Sequence, residues 1–420
     1  MHLVHRTSCR ICGSTALTKV INLGEQHLQG SFIKPAKELP PMRKIPCVLV
    51  RCDPTLDEKA CGLLQLAHTV PPAILYSAYW YRSGTNQTMR TQLKEIADQT
   101  VSFVRKKKAL VLDIGCNDGT LLKCYPASYE KVGIDPSDIA GEINDDITVI
   151  QDLFPCTRLS TWLGARKFDV VSSIAMFYDL EDPIAFVSSI KKVLAKEGLW
   201  VFEMSYMPTM LEQNAYDTIC HEHLEYYSLA VIEYILRKTD MKLVNASLNS
   251  SNGGSIRCYA THVDNFSFDD KMTQQDLANL RQKEFDLELD TDKPYKNFQE
   301  RIEKHRDELK ALLKKLKREG KKIHVYGAST KGNTLLQWCD IDHKIVACAA
   351  ERNAEKFGAR TIGTNIPIVS EKESRALKPD YYLVLPWHFK EEFLKREKDM
   401  IASGTGMIFP LPAIEVVTKV

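Results

Sequence analysis

Two histidines and two carboxylates stand together at His221-Glu222-His223-Leu224-Glu225, flanked by Tyr216, Asp217, Cys220, Tyr226 and Tyr227. An imidazole titrates near neutrality, so it can take and return a proton at working pH, and a neighbouring carboxylate can orient it. The pattern therefore suits acid–base work. A His-x-His pair can also hold a metal where the chain is extended, because residues i and i+2 then share a face. A purely structural cluster is the third reading. A different chemistry is written into Asp113-Ile114-Gly115-Cys116-Asn117-Asp118-Gly119. Its spacing is D-x-G-x-x-x-G and not the G-x-G-x-x-G of a dinucleotide loop. Acids at its head and inside it suit a cationic, phosphate-free ligand and would repel a pyrophosphate. Asp135, at the end of the next strand-like run, can accept hydrogen bonds from both hydroxyls of a ribose.

Cysteines supply the third group. Cys9-Arg10-Ile11-Cys12-Gly13 lets two thiolates face one metal from a tight turn, and Cys61-Gly62 repeats the Cys-Gly signature. Cys52 and Cys61 complete a four-thiolate set, with the eight residues Asp53 to Ala60 as a loop inserted between them. Cys47 is the substitute if Cys52 is not used. Thiolates alone, with no open position, predict a structural metal, with zinc favoured over iron–sulfur.

These groups need positioning elements, and the chain supplies an alternation of strands and helices. Ala109 to Ile114, Lys131 to Asp135, Ile147 to Ile150, Phe168 to Phe177 and Gly198 to Glu203 read as strands, with helices at Met89 to Val104 and Pro183 to Leu194. That is the pattern of a doubly wound parallel sheet, whose ligands collect at the carboxyl ends of its strands. Asp152, Leu153, Phe154, Met176, Phe177, Tyr178 and Glu203 fall there, Leu153 and Phe154 as flanks for an adenine. Tyr76 to Gly84 packs four large rings into a short span, as a core helix or an aromatic lid. Phe298 to Leu316 is an amphipathic helix that Gly320 stops. Beyond it, Lys322 to Tyr326 leads into Gly327-Ala328-Ser329-Thr330-Lys331-Gly332-Asn333, a second strand–glycine–helix unit that is not a P-loop, since no Gly-Lys-Ser/Thr occurs. Free N–H groups there, with Ser329, Thr330, Lys331 and Asn333, suit a sugar-nucleotide diphosphate. Further strands are expected at Ile345 to Ala349 and Tyr381 to Leu385. The residues after them, Arg352 and Trp387 among them, sit where a base or ribose binds.

The loop from Asp113 to Gly119 resembles the first motif of class I S-adenosylmethionine-dependent methyltransferases. That resemblance places the methionine end of the cofactor on Asp113, Gly115, Asn117, Asp118 and Gly119, and the ribose on Asp135. More specifically, three blocks resemble the sugar C-methyltransferases of deoxysugar biosynthesis over nearly the full length: the Cys-x-x-Cys module, the Tyr-Asp-Thr-Ile-x-His-Glu-His-Leu-x-Tyr segment, and the Gly327 to Leu336 motif. The resemblance implies a nucleotide-linked 4-keto-deoxysugar substrate, on a TDP or GDP carrier. It implies that His223 removes the C3 proton, with Glu222 beside it and His221 in the same cluster. A phenol from Tyr79 or Tyr81 would contact the sugar or hold the enolate. Where the family has a tyrosine two residues before the glutamate, Cys220 stands, and where it has a histidine after the fourth strand, Met176-Phe177-Tyr178-Asp179 stands; Tyr178 can fill the polar role. O-methylation, methylation at another carbon, and isomerisation stay open as alternatives on the same fold.

The expected fold class is therefore α/β: a zinc-binding module over 1–70, a methyltransferase domain over 71–260 and a Rossmann-like nucleotide-sugar domain over 261–420. The bulk numbers agree. A chain of 420 residues is expected to split into two or three domains. A net charge of +2 gives no case for nucleic acid or an anionic membrane. No apolar run approaches a membrane span, and the polar N-terminus predicts a cytoplasmic protein, a monomer or weak dimer, whose twelve cysteines are thiols or ligands.

Overall fold

The computed structural model of the chain describes residues 3–35, 42–75, 82–143, 146–269 and 271–419. Tyr79 and Tyr81 lie outside the described residues. At the N-terminus, β1 (Leu17–Gln26), β2 (Ile45–Cys52) and β3 (Leu64–Leu66) pair antiparallel. The alternation of Ile21, Leu23, Cys47, Leu49, Leu64 and Leu66 buries one face of this sheet.

The central domain begins with α1 (Gln87–Val104), capped by Asn86 and packed through Leu93, Ile96 and Ala97. Five parallel strands follow: β4 (Leu110–Ile114), β5 (Glu130–Ile134), β6 (Ile147–Ile150), β7 (Phe168–Ile174) and β8 (Leu194–Ser205). Their near-continuous apolar runs are what a sheet covered on both faces requires. The segment after β8 leaves this sheet. Its short strand β9 (Glu225–Tyr226) pairs antiparallel with β3 and becomes the edge of the four-stranded N-terminal sheet. The chain then returns as β10 (Met241–Asn249) and β11 (Ser255–His262). The seven-stranded order is β6-β5-β4-β7-β8-β11-β10, with β11 antiparallel to both neighbours. The Asn252-Gly253-Gly254 segment is the turn between β10 and β11, with Gly253 at φ +87° and Gly254 at φ +119°.

The long helix α2 (Lys293–Arg318) buries Tyr295, Phe298, Ile302, His305, Leu309, Leu313 and Leu316 along one stripe. A six-stranded sheet follows in the order β14-β13-β12-β15-β16-β17, from β12 (Ile323–Tyr326), β13 (Ala349–Glu351), β14 (Ile368–Ser370), β15 (Tyr381–Val384), β16 (Gly406–Phe409) and β17 (Glu415–Val417). All pairs but the last are parallel, a Rossmann-like arrangement. The helix α3 (Thr330–Trp338) opens directly after β12. The strand expected at Ile345 starts later, at Ala349, because the N–H groups of Ile345 and Val346 both close a turn onto the Asp342 carbonyl. No helix among the described residues is long and apolar enough to cross a membrane.

Candidate functional site

The strand order reverses between β4 and β7, so the crevice at their carboxyl ends is the sheet's switch point. The loop after β4 lines it. Gly115 and Gly119 both stand at φ +73°, and a Cβ on Gly115 would lie 3.4 Å from Met176 Cγ, just past β7. Asp113 is buried and accepts the Ser172 hydroxyl at 2.6 Å. Asp135 accepts the N–H groups of Asn117 at 3.0 Å and Ser137 at 2.8 Å. Asn117 and Asp118 in turn accept the N–H groups of Ser83 at 2.9 Å and Gly84 at 2.7 Å, so the chain before α1 closes over the loop. Burial, with Asp135 close by, pushes the Asp113 carboxyl up to about 7. Neither buried acid has a cationic side-chain partner among the described residues. A glycine cradle walled by acids that lack a cation fits S-adenosylmethionine, whose amino and sulfonium groups would meet that deficit. On the far side, Asp152 accepts the Leu153 N–H, Leu153 is 62% exposed, and Phe154 packs edge-on to Phe186.

The reactive segment is fastened at both sides. Leu224 donates its N–H to the Tyr178 carbonyl at 2.8 Å and accepts the Leu66 N–H at 2.9 Å. Tyr178 follows β7 by four residues, so the His-Glu-His segment hangs from the strand end that also carries Met176. The His223 ring lies 4.3 Å from the Tyr178 ring, centroid to centroid. Its Nδ1 is 2.8 Å from the Thr218 carbonyl. A carbonyl only accepts, so Nδ1 carries the hydrogen and Nε2 holds the lone pair. Burial, then the Lys331 charge, pull the imidazole down to about 3, so it is neutral at working pH. His221 is directed elsewhere: its N–H and its Nδ1 both meet Gln29 Oε1, at 3.1 and 2.6 Å. His221 and Glu222 form a turn, so the two rings do not share a face as they would on a strand. Glu222 rests on Gly30, where a Cβ would come within 2.1 Å of its Oε1. Burial raises its pKa, and its Oε2 has no hydrogen-bond partner.

The C-terminal domain closes the other side. Ser329 caps α3 by accepting the Gly332 N–H. Thr330 stands near Gly30, beside Glu222. Lys331 reaches out of its own domain to donate to the Asn252 carbonyl at 2.6 Å. Asn333 spends its amide on the carbonyls of Gln29 and Ser31, tying the C-terminal domain to the N-terminal module. Trp387 is buried against Gly253 and donates its indole N–H to Asp217 at 2.9 Å. Arg352 is exposed after β13, where Glu351 accepts the Ala328 N–H at 2.9 Å. Of the residues expected at the nucleotide, Thr330 stands by Glu222, Lys331 reaches the β10–β11 turn and Ser329 serves as the cap of α3, whereas the polar groups of Asn333 and Trp387 serve the joints.

The four expected thiols meet. Cys9 and Cys61 stand 3.5 Å apart and Cys12 and Cys52 3.4 Å apart, sulfur to sulfur, with all four sulfurs within 4.8 Å of one another. Four thiolates at about 2.3 Å from a zinc ion lie about 3.8 Å apart, so the set fits tetrahedral zinc. Gly13 and Gly62, each after a ligand, stand at φ +75° and +82°. Cys47 is outside the group, next to Gln29 and the Ile219 carbonyl.

Three family models cover this chain in succession: a "Putative zinc binding domain" over residues 9–76, a "Methyltransferase domain" over 85–246 and a "C-methyltransferase C-terminal domain" over 250–412. Among curated proteins it is similar to the C-methyltransferase NovU of Streptomyces niveus, 26% identical over 417 residues, 98% of this chain and 96% of the relative. The chain is an S-adenosylmethionine-dependent C-methyltransferase. Solved structures similar to it include the plantazolicin methyltransferase BpumL with SAH, 14% identical over 42% of this chain and 86% of that chain at a TM-score of 0.34. Another is the magnesium protoporphyrin IX methyltransferase ChlM of Synechocystis PCC 6803 with SAH, 16% identical over 44% and 90% at a TM-score of 0.33.

The C-methyltransferase also uses residues that its sequence does not advertise. Arg10, between two zinc ligands, donates to the Leu66 carbonyl and the Thr69 hydroxyl, both at 2.7 Å, and lies 3.9 Å from the Glu225 carboxylate with both side chains fully buried. The metal knuckle thus grips β3 and β9, the strands that hold the His223 segment. Gln29 and Gly30 meet that segment from the N-terminal module. A lone arginine inside a knuckle was the one legible signal; Gln29 and Gly30 gave none.

Proposed function

We propose that this C-methyltransferase acts on C3 of a nucleotide-linked 4-keto-deoxysugar, on a thymidine or guanosine diphosphate carrier, in the making of a branched sugar. The observation that carries the reading is the His223 imidazole. It is neutral, its Nδ1–H is fixed on the Thr218 carbonyl, and its ring lies on Tyr178 at the strand end that also forms the cofactor crevice. A 4-ketone acidifies the C3 hydrogen. His223 Nε2 takes that proton, the C–H electron pair becomes the C3–C4 double bond, and the carbonyl pair moves to oxygen. S-adenosylmethionine, when bound, supplies an electrophilic methyl carbon to such an enolate. Glu222, the residue before His223, keeps one carboxylate oxygen without a hydrogen-bond partner, and Tyr178 and His223 line one small cavity, so a sugar held there would meet the phenol side of Tyr178. A positioned base contributes about 10²–10⁴ in rate. In this reading residues 1–70 brace the site, 71–260 hold the donor and 261–420 hold the nucleotide.

The test is incubation with a panel of nucleotide 4-ketosugars and a methyl-labelled donor, followed by NMR of the product. A methyl group on a carbon that has lost its hydrogen is expected. His223→Ala is expected to abolish transfer with donor affinity unchanged. A methyl group on oxygen, or normal turnover by His223→Ala, overturns the reading.

A further inference from the structure

Lys331 lies at the start of α3, where a phosphate cradle was expected, yet its ammonium crosses to the β10–β11 turn. Its bond to the Asn252 carbonyl uses one of three N–H donors, and the other two have no hydrogen-bond partner among the described residues. The same turn packs Gly253 on the Trp387 ring, whose indole N–H goes to the buried Asp217 and leaves that carboxyl's other oxygen unpartnered, and Thr218, the next residue, holds His223. Burial pulls the Lys331 ammonium's pKa down, Asp217 beside it pushes it back up, and the charge weighs in turn on His223, Asp217 and His388. A diphosphate here would also meet the Asp217 carboxyl with its unpartnered oxygen, so the wall is poorly suited to two or more negative charges. A cation near a neutral base also works against proton uptake in the resting site. It is useful only where the same step creates an anion beside it.

We propose that Lys331 is a catalytic residue of the reaction put forward above, its free N–H groups donating to the C4 oxygen of the sugar as His223 removes the C3 proton. The proton goes to Nε2, the C–H pair forms the C3–C4 bond, and the former carbonyl pair rests on the oxygen that the ammonium holds. Nothing is oxidised or reduced, and the reverse step returns a solvent proton to C3. Donors preset for a developing oxyanion are worth about 10²–10³ in rate each.

The inference rests on the proposed function, and an exchange experiment without methyl donor separates the two. Thymidine- and guanosine-diphosphate-linked 4-keto-6-deoxyhexoses are incubated with the full chain in D₂O, and loss of the C3 proton signal is followed. Wild type is expected to exchange C3. Lys331→Met is expected to exchange about 10²–10³-fold more slowly at saturating substrate with KM little changed, and Lys331→Arg to retain part of the rate. Methylammonium is expected to restore exchange to Lys331→Ala, which a merely structural lysine would not allow. Wild-type exchange by Lys331→Met at saturation, with only KM raised, overturns the inference and makes Lys331 a phosphate ligand. Should Lys331→Met fail to fold, the absence of methylammonium rescue in Lys331→Ala overturns it. If wild type exchanges no C3 proton from either substrate, the proposed function fails and not this assignment alone.

Discussion

Gly30→Ala tests how closely the N-terminal module sets the reactive segment. The added methyl would stand 2.1 Å from Glu222 Oε1 and 3.2 Å from its carboxyl carbon, and the next atom, Thr330 Oγ1, is 3.7 Å away. Carbon and oxygen in contact need about 3.3 Å, so the carboxylate must retreat by about 1.2 Å. It is the tip of a flexible side chain, so the fold can absorb the change at a cost of about 1 kcal/mol or less. Catalysis should be less tolerant, because a misplacement of about 1 Å beside a reacting centre costs on the order of 10²-fold in rate. The assay is a double-mutant cycle: kcat for methyl transfer, with a thermal melt of each variant, for Gly30→Ala in the wild-type and Glu222→Ala backgrounds. With no carboxylate to displace, the second background should show about threefold loss or less from the added methyl. Equal losses in both backgrounds, or wild-type turnover by Gly30→Ala, would refute the claim that Gly30 acts through Glu222.

Three further outcomes are expected. Burial holds His221 at about 4, and burial with the Lys331 charge holds His223 and His388 at about 3, all below the ordinary histidine range. Their neutral forms favour the fold above the unfolded-state value of about 6.5, and that stability is lost as pH falls from there toward 4. Asp113, raised to about 7, works in the opposite sense over the same window, so the test is a difference: wild type should lose melting temperature faster than His388→Phe as pH falls from about 6.5 toward 4, and parallel profiles would show that ring to be ordinary. Trp387→Phe leaves the buried Asp217 carboxylate without its hydrogen bond and should cost about 1–3 kcal/mol in urea unfolding; no loss would mean the carboxyl is neutral or reached by water. The chain should carry one zinc by metal analysis, and Cys52→Ala or chelation should lower both metal content and the melting temperature. Full activity and an unchanged melt after complete removal would separate the knuckle from the His223 segment.

What the sequence reveals and what it hides divide along the range of the interactions. The cofactor loop is legible because its demands are local: φ +73° needs glycine at 115 and 119, and a strand that ends in an acid announces itself within a few residues. The Cys52–Cys61 pair is legible despite its inserted loop because a thiolate quartet leaves a compositional trace. β10 is not, since its half-exposed residues break the alternation that marks a strand. Nor is β9, a two-residue strand whose pairing with β3 lies far away in the chain. That pairing decides the site. On a continuous strand, His221 and His223 would share a face and invite a metal; as part of a turn between the Leu224 anchor and Thr218, one ring goes to Gln29 and the other to Tyr178. The types and spacing of the residues suit acid–base work, a metal held by His-x-His, or structure alone. Only the meeting of distant segments, Gln29-Gly30 with Thr218 to Leu224 and Tyr178, selects which imidazole is held on Gln29 and which lies on Tyr178. A cluster rich in titratable groups is therefore read most safely as a set of candidates, and the backbone that immobilises each one decides its role.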